Sequence, residues 1–323
     1  MEKYAGICGS FPRPQELRKA INAFNEGKIT QQDLEKIYRS SLLKVIRLQE
    51  EAGLNLLTSG LLLWDDLLRP FAEKLEGIKL GRLLRFFDNN FYYRRPIIID
   101  TIKWREPITL SEIKLLSQAT KQHIKAIIPG PYTFIKLSEN KFYESEDELA
   151  EDLLNALREE VNHLHKFVNF IQIDEPSLVD PELGEADKKW GIEIVNELLS
   201  KVNVPRDKVL VATYFNLDLK SYSMLLDVRA GLHLDLLSNR EAEEALRKFG
   251  FEGETLSLGI VNARSIFLEN SKQIASKLEK VLASISPKTL IISTNTWLDY
   301  IPFEDAVEKL KILGEILRNM EEF

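Results

Sequence analysis

One rhythm constrains this chain more than any other feature. Short apolar runs recur along it, and most are followed by a segment with helical apolar spacing. The runs cover residues 4–9, 54–59, 125–129, 170–174, 209–214, 231–235, 256–260 and 290–294. A strand buried on both faces reads as a near-continuous hydrophobic run. Such runs alternating with amphipathic helices imply a parallel sheet inside a helical layer. Helical patterns lie over 31–52, 146–167, 187–202, 217–226, 240–249, 271–284 and 303–320. Three of them open with capping-box spacing, Thr30 with Asp33, Ser145 with Glu148 and Ser238 with Glu241.

Eight such strands predict an α/β protein, a single (β/α)8 TIM barrel over residues 1–323. An open doubly wound sheet is the competing architecture. It expects a glycine-rich phosphate turn after the first strand, yet Gly6 and Gly9 lie inside that strand and no such turn follows. The longest departure from the rhythm is residues 61–123, between strands two and three. A segment that long carries structure of its own or a function. We expect it to pass over the barrel mouth, with a hairpin and a helix over 110–122.

Charge narrows the function. The chain has 43 Lys and Arg against 50 Asp and Glu, a net charge of −7. That balance argues against nucleic acid or an anionic membrane as the main partner, although residues 82–95 are locally basic and aromatic. Cys8 is the single cysteine, so neither a disulfide framework nor a cysteine zinc cage is available. No apolar run approaches the ~18 residues of a membrane helix, and the N-terminus reads as a strand rather than a leader. A soluble cytoplasmic protein is expected.

In a (β/α)8 barrel the reacting groups sit at the C-terminal ends of the strands. Those ends are polar here: Ser10 and Arg13, Ser59, Tyr132, Asp174 and Glu175, Thr213 and Tyr214, His233 and Asp235, Asn262 and Arg264, Ser293 and Asn295. Gln172 and Asp174 are two apart on one strand, so they share a face. Asp174, Glu175, His233 and Asp235 are therefore the candidate catalytic residues. A glycosidase-type pair could join Asp174 or Glu175 to Asp235 across the mouth. His233 and Asp235 are possible metal ligands, but a metal needs more ligands from neighbouring strands. Gly259, at the end of the seventh strand, supplies none, and Ser293 and Asn295 are poor zinc ligands. Hydrogen bonding within the mouth is the competing reading.

The order of several motifs resembles the cobalamin-independent methionine synthase family. They are Gly9-Ser10-Phe11-Pro12-Arg13, Gln49-Glu50-Glu51-Ala52-Gly53-Leu54, Gly130-Pro131-Tyr132-Thr133-Phe134 and Ile171-Gln172-Ile173-Asp174-Glu175-Pro176. The resemblance spans nearly the whole chain and implies a barrel fold. That family is built from two barrels, and its C-terminal half holds zinc through His-x-Cys, Glu and Cys. Here those positions read His233-x-Asp235, Gly259 and no cysteine. The N-terminal half lacks zinc, and its marks are similar to Arg85–Tyr93, Thr213-Tyr214-Phe215 and Leu258–Arg264. The fit is to that half standing alone.

The resemblance implies a role in methionine biosynthesis. This chain would hold a methyl-tetrahydropterin, a folate-like methyl donor, through its polyglutamate tail. The matching residues are Glu16, Arg18, Lys19, Arg85 and Asn90, whose cations suit a carboxylate tail. It would bind no cofactor by itself, and a separate zinc-bearing barrel would activate homocysteine. Two alternatives stay open. One is an independent methyltransferase, decarboxylase or hydrolase using Asp174, Glu175, His233 and Asp235. The other is a binding module without chemistry.

Overall fold

In a computed structural model, which describes residues 1–283 and 285–321, eleven strands alternate with helices. The strands are β1 (Glu2–Ala5), β2 (Leu56–Leu57), β3 (Glu76–Arg85), β4 (Tyr92–Lys103), β5 (His123–Pro129), β6 (Glu139–Asn140), β7 (Phe170–Asp174), β8 (Val209–Thr213), β9 (Gly231–Asp235), β10 (Thr255–Val261) and β11 (Thr289–Thr294). The helices are α1 (Gln15–Asn25), α2 (Gln31–Glu51), α3 (Arg69–Lys74), α4 (Leu110–Ala119), α5 (Pro131–Leu137), α6 (Glu146–Leu164), α7 (Glu185–Lys201), α8 (Leu219–Leu225), α9 (Glu241–Phe249), α10 (Ser271–Leu282) and α11 (Phe303–Glu321).

Eight strands form one parallel sheet in the order β1-β11-β10-β9-β8-β7-β5-β2. The sheet curls until β1 and β2 meet. No backbone ladder joins them, and the Asn55 side chain closes the seam instead. Its Oδ1 accepts the N–H of Ala5 at 2.8 Å, and its Nδ2 donates to the Lys3 carbonyl at 3.2 Å. A side-chain amide carries the donor and acceptor of a peptide group, so one asparagine does the work of a strand pair. Tyr4, Leu56, Phe170, Leu210 and Ile291 meet as an apolar floor inside the barrel.

All eight expected barrel strands are present. The seventh runs on to Val261 rather than ending at Gly259, with an irregularity in register between those two positions. The long excursion contains the expected hairpin, with β3 and β4 antiparallel and the short β6 added alongside β4. Its helix, α4, is shorter than the expected 110–122 and ends at Ala119. Thr30 with Asp33 forms the reciprocal capping box, and Ser145 caps α6. Ser238 does not cap α9: Arg240 holds that position without a side-chain cap, and the Ser238 hydroxyl donates to Asp235. The helix expected over 271–284 ends at Leu282, and Ser284 lies outside the described residues. Among the described residues no helix is long and apolar enough to cross a membrane.

Asn55→Ala leaves a strand N–H and a strand C=O without partners at the seam. Each orphaned group costs about 1–3 kcal/mol. The urea midpoint of unfolding is expected to fall with the slope unchanged. A midpoint equal to that of the parent would remove Asn55 as the seam.

Candidate functional site

Above the apolar floor the barrel interior turns polar. Lys125 is the third residue of β5 and is completely buried. Its ammonium donates to the Ile7 carbonyl at 2.9 Å and to Gln172 Oε1 at 2.6 Å. The Gln172 amide passes the contact on, donating to the Cys8 carbonyl at 2.7 Å and to Asp174 Oδ1 at 2.6 Å. Asp174 Oδ2 accepts the Tyr214 hydroxyl at 3.0 Å and the Trp297 indole N–H at 3.3 Å. Burial pushes Asp174 up to about 6, against those donors and Lys125, so it is ionised at neutral pH. Burial also lowers Lys125 and raises the Cys8 thiol, which stays protonated.

Of the other candidates, His233 bonds Ser257 Oγ through Nδ1 at 2.8 Å, with Nε2 3.5 Å from the Asn295 carbonyl. Burial, reinforced by Lys125, pushes it down to about 3, so the imidazole is neutral. Asp235 accepts from Phe215 N, Leu237 N, Ser238 N and Asn295 Nδ2, and so ties together the loops after β8, β9 and β11. Glu175 faces the start of α5. It accepts Tyr132 N at 2.9 Å and Thr133 N at 2.7 Å, and a Cβ on Gly130 would meet its carboxyl carbon at 2.1 Å. Burial pushes Glu175 up to about 8. Among the described residues no three His, Cys, Asp or Glu side chains are grouped to hold a metal.

Rings cover the mouth. The hairpin tip brings Phe86 into a stacked contact with Trp297, with centroids 6.3 Å apart, and edge-on to Phe215 at 6.0 Å. Trp297 lies so close to the first strand's extension that a Cβ on Gly9 would be 1.9 Å from its ring. Phe87 and Phe215, 5.6 Å apart, both hold positive φ, 54° and 82°. Such backbone costs about 1–3 kcal/mol per residue and persists only where the surroundings impose it. Outside this lid, Arg264 lies over the Phe215 and Tyr300 rings, and a cleft of about 710 Å³ opens between Phe87, Asp180, Phe215 and Arg264.

The expected tail-binding residues separate into two places. Glu16, Arg18 and Lys19 line one groove of about 710 Å³ with Lys44, Phe303 and Glu304. Lys44 pairs with Glu16 at 3.0 Å, and Arg18 and Lys19 make no ion pair among the described residues. Arg85 and Asn90 lie on the hairpin tip, outside that groove, and Arg85 pairs with Asp88 at 3.3 Å. Sequence reading missed Lys125 and Trp297. Lys125 was detectable, because a lysine inside an apolar run must find a partner. Nothing local marked Trp297, whose role depends on the hairpin tip.

Glu175 generates a pH prediction. Its folded pKa is raised, so folding favours the acid form. That contribution is complete below about pH 4 and is lost as pH rises through about 8. The denaturant midpoint is expected to fall from about pH 4.5 to about pH 8 and to level off above that. In Glu175→Gln the midpoint is lower throughout, because one amide hydrogen faces a backbone N–H, but the fall is flattened. An unchanged slope in the variant would assign the titration elsewhere.

The fold matches solved structures end to end. A B12-independent methionine synthase from Shewanella sp. W3-18-1, solved with selenomethionine, superposes with a TM-score of 0.83 at 18% identity, covering 98% of this chain and 97% of that one. A putative vitamin-B12 independent methionine synthase from Listeria monocytogenes gives a TM-score of 0.80 at 18% identity, with the same coverage. By sequence, the chain is 28% identical over 94% of its length to a methionine synthase of Sulfolobus acidocaldarius, covering 88% of that protein. It is 29% identical over 96% of its length to one of Saccharolobus solfataricus, covering 92% of it. Residues 76–286 match the family described as the cobalamin-independent synthase, N-terminal domain. This chain belongs to that family.

Proposed function

We propose that this chain is the zinc-free half of a split methionine synthase. It binds the polyglutamate tail of a methyl-tetrahydropterin and works with a separate barrel that carries zinc and homocysteine. The observation that carries this reading is the state of the mouth. Asp174, Glu175, His233 and Asp235 are all buried and bonded within the chain, and Phe86 stacks on Trp297 above them. The groups left open to ligands lie outside, on the rim and on α1.

Two surface features support the reading. The first is the groove with the two unpaired cations Arg18 and Lys19, which suits a run of carboxylates. The second is an apolar knob on a braced loop. Ile266, Phe267 and Leu268 are 53%, 81% and 53% exposed on the loop after β10, at the mouth end of the barrel. Lys309, buried beneath, donates to the Phe267 carbonyl and to Glu269 at 2.8 Å, while Glu269 accepts the Asn262 N–H at 2.7 Å. With the loop backbone held in this way, docking has to order only the exposed side chains, and exposed aromatic residues make good interface anchors.

One observation favours a second reading. The curated relatives named methionine synthase are close to this chain in length, since it covers 88% and 92% of two of them. An independent methyltransferase would need the lid to open. Methyl transfer from a methyl-tetrahydropterin to homocysteine separates the readings. Activity is expected only when the chain and a zinc-bearing barrel are mixed, and Phe267→Asp is expected to weaken their association at least tenfold at unchanged thermal stability. Turnover by the chain alone would establish the second reading instead.

The tail groove has its own test. Arg18→Ala with Lys19→Ala is expected to weaken a triglutamate pterin at least tenfold while leaving the monoglutamate nearly unchanged. The difference is expected to shrink as salt rises, because the contacts are exposed. Equal loss for both ligands would place the tail elsewhere.

A further inference from the structure

Another cavity, of about 510 Å³, lies in the helical layer between α1, α2, α3 and the start of α4. Phe24, Leu34, Tyr38, Trp64, Ile108 and Glu112 line it. Glu112 is only 8% exposed. Its oxygens accept the Ser59 hydroxyl at 3.0 Å and the Trp64 indole N–H at 3.3 Å. Among the described residues no cation pairs with it. Both cations in the wall are engaged: Arg69 with Asp65 at 2.6 Å and Glu73 at 2.7 Å, and Lys74 with Glu106 at 3.2 Å. Beside the carboxyl stands Tyr38, 6% exposed, whose hydroxyl is buried without a hydrogen-bond partner.

Each of these features requires something the chain does not supply. A buried carboxyl without a cation is held in a costly state. A buried hydroxyl without a partner costs about 1–3 kcal/mol. Phe24, Tyr38 and Trp64 line the cavity, and the face of an aromatic ring attracts organic cations. An anion would meet Glu112, Asp65 and Glu73. A neutral alcohol could satisfy Tyr38 and leave Glu112 as it is.

We propose that this cavity binds a small organic ammonium ion, its nitrogen against Glu112 and Tyr38 and its apolar part against Phe24, Leu34 and Trp64. The site shares no lining residue with the cleft beside Arg264 or with the tail groove. Its pH behaviour follows from its neighbours. Burial pushes Glu112 up to about 7, with Glu160 of α6 adding repulsion against the Ser59 and Trp64 donors. Glu160 itself accepts from Trp104, Ile108 and Thr109. Tyr38, raised by burial, stays protonated, and Asp65, Arg69, Glu73 and Lys74 complete the charged wall. A bound cation favours the Glu112 carboxylate, so binding releases a proton. Glu112 is about one-tenth ionised at pH 6 and nine-tenths at pH 8, so affinity rises roughly tenfold across that range.

Calorimetry of the whole protein with benzylammonium and with benzyl alcohol, its neutral counterpart, tests the site. Benzylammonium is expected to bind with a Kd below about 1 mM at pH 8 and about tenfold more weakly at pH 6. Its heat is expected to differ between phosphate and Tris, as proton release requires. The alcohol is expected to bind at least tenfold more weakly. Glu112→Gln is expected to lose both the affinity and the pH dependence. Leu63, a lining residue 43% exposed at the rim, gives a second variant. Leu63→Arg fills the entrance with a tethered cation and is expected to abolish binding even if Glu112→Gln does not fold. Equal binding of the alcohol, unchanged binding in either variant, or no heat up to roughly 10 mM ligand would overturn the proposal.

Discussion

An ammonium and a carboxylate are sealed inside this barrel, and they do not touch. Lys125 and Asp174 are joined only through the amide of Gln172. An isolated ion buried in a protein costs several kcal/mol, so the linker decides whether the barrel can close around the pair. A glutamine suits that place because its ends are unlike. Its oxygen accepts from the ammonium and its nitrogen donates to the carboxylate. Glutamate there would pair with Lys125 but repel Asp174, and a hydrocarbon side chain would leave both ions unsupported. The same two residues hold backbone as well. Beyond Ala5, where the ladder of β1 ends, the Ile7 and Cys8 carbonyls are bound by Lys125 and Gln172. The stretch leading to Gly9 and Ser10 is therefore positioned from inside the barrel.

That dependence explains how the mouth is built. Asp174 receives Tyr214 from the end of β8 and Trp297 from beyond β11. Gly9 lets Trp297 lie against the first strand's extension, and Phe86 then stacks on Trp297. A contact chain thus runs from Lys125 up to the hairpin tip. Asp235 repeats the logic on the other side with loop N–H donors. In both cases the carboxylate organises strand ends, and its oxygens face donors of the chain itself.

The barrel was legible in the sequence because burial on both faces leaves a strong local mark. The run at 170–174 and the run at 231–235 match β7 and β9 residue for residue. The shared face of Gln172 and Asp174 was legible for the same reason, since strand period alone dictates it. Other features had no local mark. The Asn55 seam joins residues some fifty positions apart through one side chain. Ser238 carried the spacing of a helix cap, but the buried Asp235 three residues earlier is a stronger acceptor and captured it. The tail-binding set was read as one group, yet Arg85 and Asn90 ride on a hairpin whose tip is placed by ring packing, away from Arg18 and Lys19.

The lid shows which of its parts is under tension. Phe87 and Phe215 sit in left-handed backbone and touch each other, one from the hairpin and one from the end of β8. Neither residue type favours that conformation, so each is held there by what surrounds it. For Phe215 the holders are Asp235, which accepts its N–H, and the rings of Tyr214 and Phe86. For Phe87 they are Phe86 and Phe215. The two strained residues therefore meet at the Phe86 ring, and Asp235 anchors one of them from the end of β9. Withdrawing Phe86 would remove a packing partner of both strained residues, whereas moving a strand end would break bonds to a buried carboxylate.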